Sequence, residues 1–402
     1  MNPQTMLATF GGLLHDVGKI AYRAGGPRVN HSRRGADFLR DCWRGASDSP
    51  ERETVLDCVS YHHQDALKEA DLPPESLAWL VYYADDVSAA ADRRKEAETG
   101  HFEMYMPLKP VFAKLNGDHD GFVLPPPGAA SFLPVPEDSR RWTKEDYQRL
   151  LSALSPRLAR LTPRESELNP LLLALEDTMG AVPSDTSTKN LPDISLYDHV
   201  KITAAVAACL SEYALAEGVT DFKQAFFTRE TASRNVAAFL LYSADVSGIQ
   251  KFIYTVSTKG ALRSLRSRSF FLETVMEHYI DELLCGVGLS RANLLYSGGG
   301  HCYLLLPNTA RTVETLKAWN LRFNDWLLEA FGTRLYLADG WTECTANELT
   351  NRPASRKTSD TVSPYKEMFQ RVTSAVAKKK IRRYTAEQVL RMNAGGAGVP
   401  IS

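Results

Sequence analysis

LLHDVGK, residues 13–19, is the stretch on which the reading of this chain turns. It sets an imidazole and a carboxylate side by side, His15 and Asp16, on a segment whose Phe10, Leu13, Leu14 and Val17 share one helical face. Lys19 follows one turn after His15, where it can neutralise a phosphate. Further polar signals lie outward from it: His31 in NHSRRGADFL, His62 and His63 in YHHQ, and Asp85 and Asp86 in YYADDVSAAADRR. Leu77, Leu80, Val81, Ala84 and Ala91 keep helical spacing between Pro73–Pro74 and Gly100. Residues 1–98 therefore read as one mostly helical unit.

Imidazoles and carboxylates suit a pair of first-row transition ions or Mg2+. A carboxylate such as Asp16 can bridge two such ions, which generate hydroxide from water and stabilise charge on a phosphoryl group. A lone His-Asp dipeptide is ordinarily structural. His-Asp-x-Gly-Lys followed by a separate His, a His-His pair and an Ala-Asp is far more restrictive. The expected ligands are His15, Asp16, His31, His62, His63 and Asp85, with His15, Asp16 and Lys19 carrying the chemistry. His31 has a competing role as a cap for the helix after it, and His62 and His63 compete for one position. Asp85 is preferred to Asp86 because it follows Ala84 on the buried face.

At 402 residues the chain is too long for one ordinary core, so two or three domains are expected. A 44% apolar and 24% charged composition is that of a globular protein, and a formal net charge of -1 carries no overall basic signature. Nucleic-acid contact must then come from local patches or partner subunits. Cys42, Cys58, Cys209, Cys285, Cys302 and Cys344 form no Cys-x-x-Cys pair, which argues against a zinc knuckle and for reduced thiols in a cytoplasmic protein. No apolar run approaches the length of a membrane span, so no membrane role is expected.

Residues 99–232 read as a linker and helical connecting region. Its stretch 116–140 is rich in Gly, Pro, Ser and Asp. Helical patterning follows from Tyr147 to Leu161 and again in SLYDHVKITAAVAACLSEYAL, with a polar break at 181–193. A different texture fills 233–342. VAAFLLYSADVSG suits a buried strand, a helix runs from about Ala261 to Cys285, and NLLYSGGGHCYLLLP reads as strand, tight glycine turn, strand. A helix over roughly Thr312 to Phe331 and a strand in TRLYLADGWTECTA complete a ferredoxin-like βαββαβ order. Residues 343–402 read as a polar C-terminal segment containing KKKIRRY and ending in the linker-like GGAGVP. The fold class is thus α+β.

Asp245 ends the first strand of that region, beside Ser247 and Gly248, and Ser297, Gly298, Gly299, Gly300 and His301 form the hairpin turn. The glycines permit close approach of backbone to a phosphate or base. Lys259, Arg263, Arg266 and Arg268 open the following helix, where they suit a triphosphate or nucleic acid as well as a plain solvated face. The expected nucleotide set is Asp245, Ser247, Gly248, Arg266, Arg268, Ser297, Gly298, Gly299, Gly300 and His301. A buried Asp and an ordinary hairpin are the rival explanation.

The order HD, H, HH, D resembles the HD superfamily, and in its N-terminal placement the permuted HD domain of type III CRISPR large subunits. That likeness implies single-strand DNA cleavage with divalent metal (Mn, Ni, Co or Mg), carried over onto His15, Asp16, His62 and Asp85 with His31 and His63 in support. ISLYDHVKITAAVA, ADVSGIQKFIY, LRSLRSRSFFLE, LYSGGGHCYLLLP and MPLKPVF resemble the large subunit of type III-A (Csm-type) effector complexes. The Asp198 to Lys201 segment helps separate it from Cmr-type relatives. The resemblance covers nearly all of the chain. It implies a Palm domain that binds ATP with Mg for cyclic oligoadenylate synthesis. It also implies partners: the small subunit, the subunit that binds the guide 5′ end, CRISPR RNA, target RNA and single-stranded DNA.

The sequence departs from that pattern in one respect. The zinc element and the second Palm half with its Gly-Gly-Asp-Asp motif are missing here, so a separately encoded half or a truncated form is expected. One carboxylate cannot assemble a two-metal synthase site. Two other readings stay open: a non-catalytic ATP-binding assembly module, and a stand-alone HD nucleotide phosphohydrolase.

Overall fold

A computed structural model of the chain describes residues 1–26, 29–45, 49–92, 97–111, 122–126, 133–136, 142–255, 261–353 and 363–394. Lys259, GGAGVP and most of 116–140 lie outside these residues.

Asn2 begins α1 (Pro3–Leu14) by accepting a hydrogen bond from the Gln4 amide, with Pro3 in the first helical position. The chain bends at His15–Asp16 into α2 (Val17–Arg23) and continues through α3 (His31–Cys42), α4 (Pro50–Ser60), α5 (Gln64–Glu69) and α6 (Leu77–Asp92). Gly18 lets α2 lie directly against α3, since a Cβ there would stand 1.8 Å from the His31 carbonyl oxygen. Within the stretch read as a loop, β1 (Phe122–Val123) and β2 (Val135–Pro136) form a short antiparallel pair. Next come α7 (Lys144–Ala159), opened by a Thr143–Asp146 capping box, and α8 (Leu168–Met179).

The next helix, α9 (Leu196–Glu217), is capped by Ser195 and stops at Gly218, whose φ is +67°. Val200 and the run Ala204 to Leu210 are buried right round the helix, so α9 can only be an interior element. It packs on α1 and α6 with one side and on the sheet with another. A Cβ on Gly12 of α1 would lie 2.6 Å from the Ala204 Cα, which fixes where the two helices touch. The sequence places this helix in a connecting region, whereas the structure makes it the spine between the two halves.

After α10 (Glu230–Ser233) the chain enters β3 (Phe239–Ser247), α11 (Ile249–Tyr254), α12 (Ala261–Val287), β4 (Leu294–Gly298), β5 (His301–Pro307), α13 (Ala310–Phe331) and β6 (Tyr336–Cys344). The sheet is antiparallel in the order β4-β5-β3-β6, the ferredoxin-like arrangement. Leu240, Tyr242, Ala244, Leu304 and Leu337 pack on α12 and α13. The β4–β5 turn is made by Gly299 and Gly300, both at positive φ (+61° and +81°), as a two-residue hairpin of primed type requires.

The polar segment after 350 carries helices whose presence the sequence reading did not specify. After α14 (Ala346–Leu349) it forms α15 (Pro364–Ile381) and α16 (Ala386–Ala394). Met368, Val372 and Val376 of α15 are buried against the second face of the sheet, where Gly340 leaves room for Ala375. Three well-spaced apolar residues in a charged helix suffice to cover a sheet face, and so few escape notice in a polar sequence.

Candidate metal centre

Asp16 occupies the N-cap position of α2, yet its carboxylate makes no capping bond. An Asp in that position ordinarily satisfies the free amides of the first turn. Here it turns inward instead, 2% exposed, into a ring of histidines. Its Oδ2 faces His15 Nε2 at 3.5 Å and His199 Nε2 at 3.3 Å, and its Oδ1 faces His31 Nε2 at 3.3 Å and His62 Nε2 at 3.7 Å.

Five separate helical regions supply this cluster. His15 ends α1, His31 begins α3, His62 and His63 follow α4, Asp85 lies on α6 and His199 on α9. Their ligand atoms fall into two groups, His31–His62–His63 and His15–Asp85–His199, each with its atoms within 4.8 Å of one another. Asp16 stands between the groups with one oxygen toward each. Asp86 points elsewhere and pairs with Arg234. His31 is partly exposed and His63 stands at the rim, with their Nε2 atoms 2.8 Å apart.

The three buried rings share one orientation device. His15 Nδ1 donates to the Gly12 carbonyl at 2.8 Å and His62 Nδ1 to the Val59 carbonyl at 2.8 Å, while His199 Nδ1 bonds to the Asp92 carboxylate at 2.7 Å. Carbonyls only accept, so Nδ1 carries a hydrogen and Nε2 is the atom presented to the cluster.

The electrostatics are those of a site short of positive charge. Burial opposes ionisation of Asp16, yet Lys19 and His15 outweigh it and hold that carboxyl well below the usual range. Burial likewise opposes Asp85, and His15 and His199 hold it low. His15, despite burial, is pushed up to about 9 by Asp16 and Asp85, and His199 rises well above its usual value through hydrogen bonds to Asp16, Asp85 and Asp92. His62 goes the other way, lowered by burial and by the neighbouring His63 and His15. Asp16 and Asp85 thus draw positive charge toward His15 and His199, the part a cation would take. Asp16 Oδ1 is buried and accepts no hydrogen bond among the described residues, an acceptor left over that a divalent ion would satisfy.

His199 and Asp92 belong to none of the ligand positions read from the sequence. His199 sits in the segment singled out there as a family marker, and its one local signal is a single imidazole on a helix whose buried residues are mostly apolar. Asp198 beside it is tied to the N-cap Ser195, whose Oγ accepts from the Asp198 amide and donates to its carboxylate. Lys19 forms an ion pair with Asp16 Oδ2 at 2.6 Å and donates to the Ser184 carbonyl at 2.9 Å, so it is tied to the carboxylate. The cluster floors a cavity of about 770 Å³ whose far wall comes from residues 100–104 and 184–190.

The nucleotide candidates lie on the sheet and on α12, and none of them lines this cavity. The end of β3 adjoins the glycine turn: Asp245 pairs with His301, and the Val246 amide donates to the Gly300 carbonyl at 2.9 Å. Ser247 and Gly248 follow at the strand end, and Gly298 pairs with His301 across the hairpin. Several candidates already have partners inside the chain. Asp245 Oδ2 accepts from Lys380 Nζ at 2.5 Å, His301 Nε2 meets Ser243 Oγ at 2.8 Å, and Ser297 donates to Glu277 at 2.9 Å. Arg268 donates to the carbonyls of Phe252 and Thr255, which fastens α11 to α12, while Arg263 and Arg266 are exposed on α12.

An HD domain family model matches residues 4–90, and a model described as Csm1 subunit domain B matches residues 238–395. The chain is 38% identical over 422 residues to the CRISPR system single-strand-specific deoxyribonuclease Cas10/Csm1 (subtype III-A) of Mycobacterium tuberculosis, covering 98% of this chain and 52% of the relative. It is 33% identical over 402 residues to the Streptococcus thermophilus protein of the same name, covering 96% and 50%. Among solved structures, the apo Csm1–Csm4 cassette is similar with a TM-score of 0.75 and 29% identity, over 98% of this chain and 50% of that one. The cassette in complex with AMPPNP is similar with a TM-score of 0.75 and 30% identity, over 96% and 50%. The chain spans about half the length of the curated relatives it matches. No helix among the described residues is long and apolar enough to cross a membrane.

Proposed function

Because this chain belongs to the Csm1 family of type III-A CRISPR large subunits, we propose that its helical half is a divalent-metal-dependent single-strand deoxyribonuclease. The observation that carries the proposal is Asp16, a buried carboxylate with one ligand group on each side and a free acceptor oxygen. His31, His62 and His63 would hold one ion, His15, Asp85 and His199 the other, with Asp16 shared. When bound, such ions supply Lewis-acid activation of water and charge stabilisation at a phosphodiester.

The chain's own residues do the rest. Lys19 holds Asp16 ionised and in place. Gly12, Val59 and Asp92 fix the ring orientations of His15, His62 and His199. On this reading the nuclease unit is α1–α6 together with α9, a wider unit than residues 1–98. The His15→Ala, Asp16→Ala double variant is expected to abolish Mn2+-dependent cleavage of single-stranded DNA in a gel assay. Undiminished cutting by that variant would overturn the proposal.

The sheet domain is read as a Palm that binds ATP at the β3 end and the glycine turn, through Asp245, Ser247, Gly248, Ser297, Gly298, Gly299, Gly300, His301 and Arg266. Arg268 takes a positioning part, since its guanidinium is spent on carbonyls of α11. Cyclic oligoadenylate synthesis would need a second Palm carrying the further carboxylates. A partner like the Csm4 of the similar cassettes, the small subunit and the guide and target RNAs complete the proposed assembly.

A further inference from the structure

The cavity above Asp16 is walled by two segments that the nuclease chemistry does not use. Residues 183–190 form a strap pinned to α2 from below. Lys19 donates to the Ser184 carbonyl at 2.9 Å and Arg23 Nη1 to the Pro183 carbonyl at 3.0 Å. Inside the strap the Asp185 carboxylate accepts from the Ser187 amide at 2.8 Å and from Asn190 Nδ2 at 2.6 Å.

Residues 100–104 run antiparallel beside it. The Thr188 amide donates to the His101 carbonyl at 2.9 Å and the Glu103 amide to the Thr186 carbonyl at 2.9 Å, with Phe102 bridged to Ser187. Gly100 lets the two segments touch, since a Cβ there would lie 2.6 Å from Thr188 Oγ1. This is a stiff, hydrogen-bonded wall.

What the wall presents is specific. Phe102 is 80% exposed on it, and Tyr22 of α2, 39% exposed, lines the same cavity. Lys189, also lining the cavity, is exposed and has no ion partner among the described residues. An exposed phenyl ring on a hydrogen-bonded wall gains nothing for folding. Aromatic faces interleaved with free cations are what a single nucleic-acid strand uses, bases stacking and phosphates pairing.

We propose that Phe102, with Tyr22 and Lys189, forms a nucleotide subsite that seats a base and a phosphate of single-stranded DNA beside the metal centre. The strand choice follows from geometry of the ligand. In a duplex both faces of each base are covered by its neighbours, so only an unpaired base can lie on Phe102. The subsite rests on the deoxyribonuclease reading above for its DNA assignment.

The test is fluorescence anisotropy of labelled oligothymidylate with the full chain in EDTA, alongside cleavage kinetics in Mn2+. Phe102→Ala weakens binding roughly fivefold to a hundredfold, and Phe102→Trp restores it. Its thermal midpoint stays at the wild-type value because the ring is exposed. Lys189→Ala lowers the slope of log affinity against log salt by about 0.7, one phosphate's worth on a single strand. Phe102→Ala binding within about twofold of wild type overturns the subsite even if the wild type cuts DNA. Phe102-dependent binding by a wild-type chain that cuts nothing upholds the subsite and overturns the nuclease reading. Tighter binding of oligouridylate with the same Phe102 dependence overturns the DNA assignment.

Discussion

Single residues in this protein are placed where their ordinary use is denied them. Asp16 forgoes the helix cap its position offers and becomes the shared acceptor of the cluster. Asp339 on β6 is a second buried acid, 3.4 Å from the Tyr242 hydroxyl, which itself meets Tyr279 at 2.7 Å. Burial pushes the Asp339 carboxyl up to about 6, although Lys379 and the Tyr242 hydrogen bond pull the other way. The unfolded chain releases this proton near 3.8 and the folded chain near 6, so between those values the folded state binds more protons. The stabilisation is complete below about 3.8 and is lost as pH rises through about 6. Asp339→Asn is expected to gain roughly 2–3 kcal/mol relative to wild type at pH ~8 and to flatten this dependence, as urea denaturation at a series of pH values will show.

At the scale of elements, the contact of α1 with α9 decides the metal centre. Gly12 touches Ala204, and from that point His15 lies one turn along one helix and His199 little more than one turn along the other. Their Nε2 atoms consequently meet at 3.3 Å. Gly12→Val sets a side chain against the α9 backbone, where no rotamer relieves the overlap. A loss of about 1–3 kcal/mol is expected in chemical denaturation, together with weaker Mn2+ binding because the two histidines are driven apart. Full stability and unchanged metal affinity would show that the helices have room to slide.

Across the whole molecule, the proposed ligands tie the first helices to the spine helix α9, which in turn packs under the sheet. Metal bound only by the folded chain must stabilise it, by about 2.7 kcal/mol at a hundredfold excess over the dissociation constant. Adding Mn2+ is therefore expected to raise the thermal unfolding midpoint, and His199→Ala to remove most of that rise. An equal rise in the variant would take α9 out of the site.

Local patterning was enough to read the α+β class, the βαββαβ order and the histidine and aspartate positions near the N-terminus, because helix and strand periods and short motifs are properties of neighbouring residues. His15, Asp16, His62 and Asp85 carry recognisable local contexts, and the structure sets them within one cluster. His199 and Asp92 had no such context: a single imidazole on a helix with a mostly apolar buried side announces nothing until Gly12 and Ala204 bring α9 against α1. The cover that α15 lays over the sheet and the strap against which residues 100–104 hold Phe102 over the cavity were likewise decided by tertiary structure. Each depends on contacts between segments distant in the chain, and no local period encodes which distant surface a helix or a strap will meet.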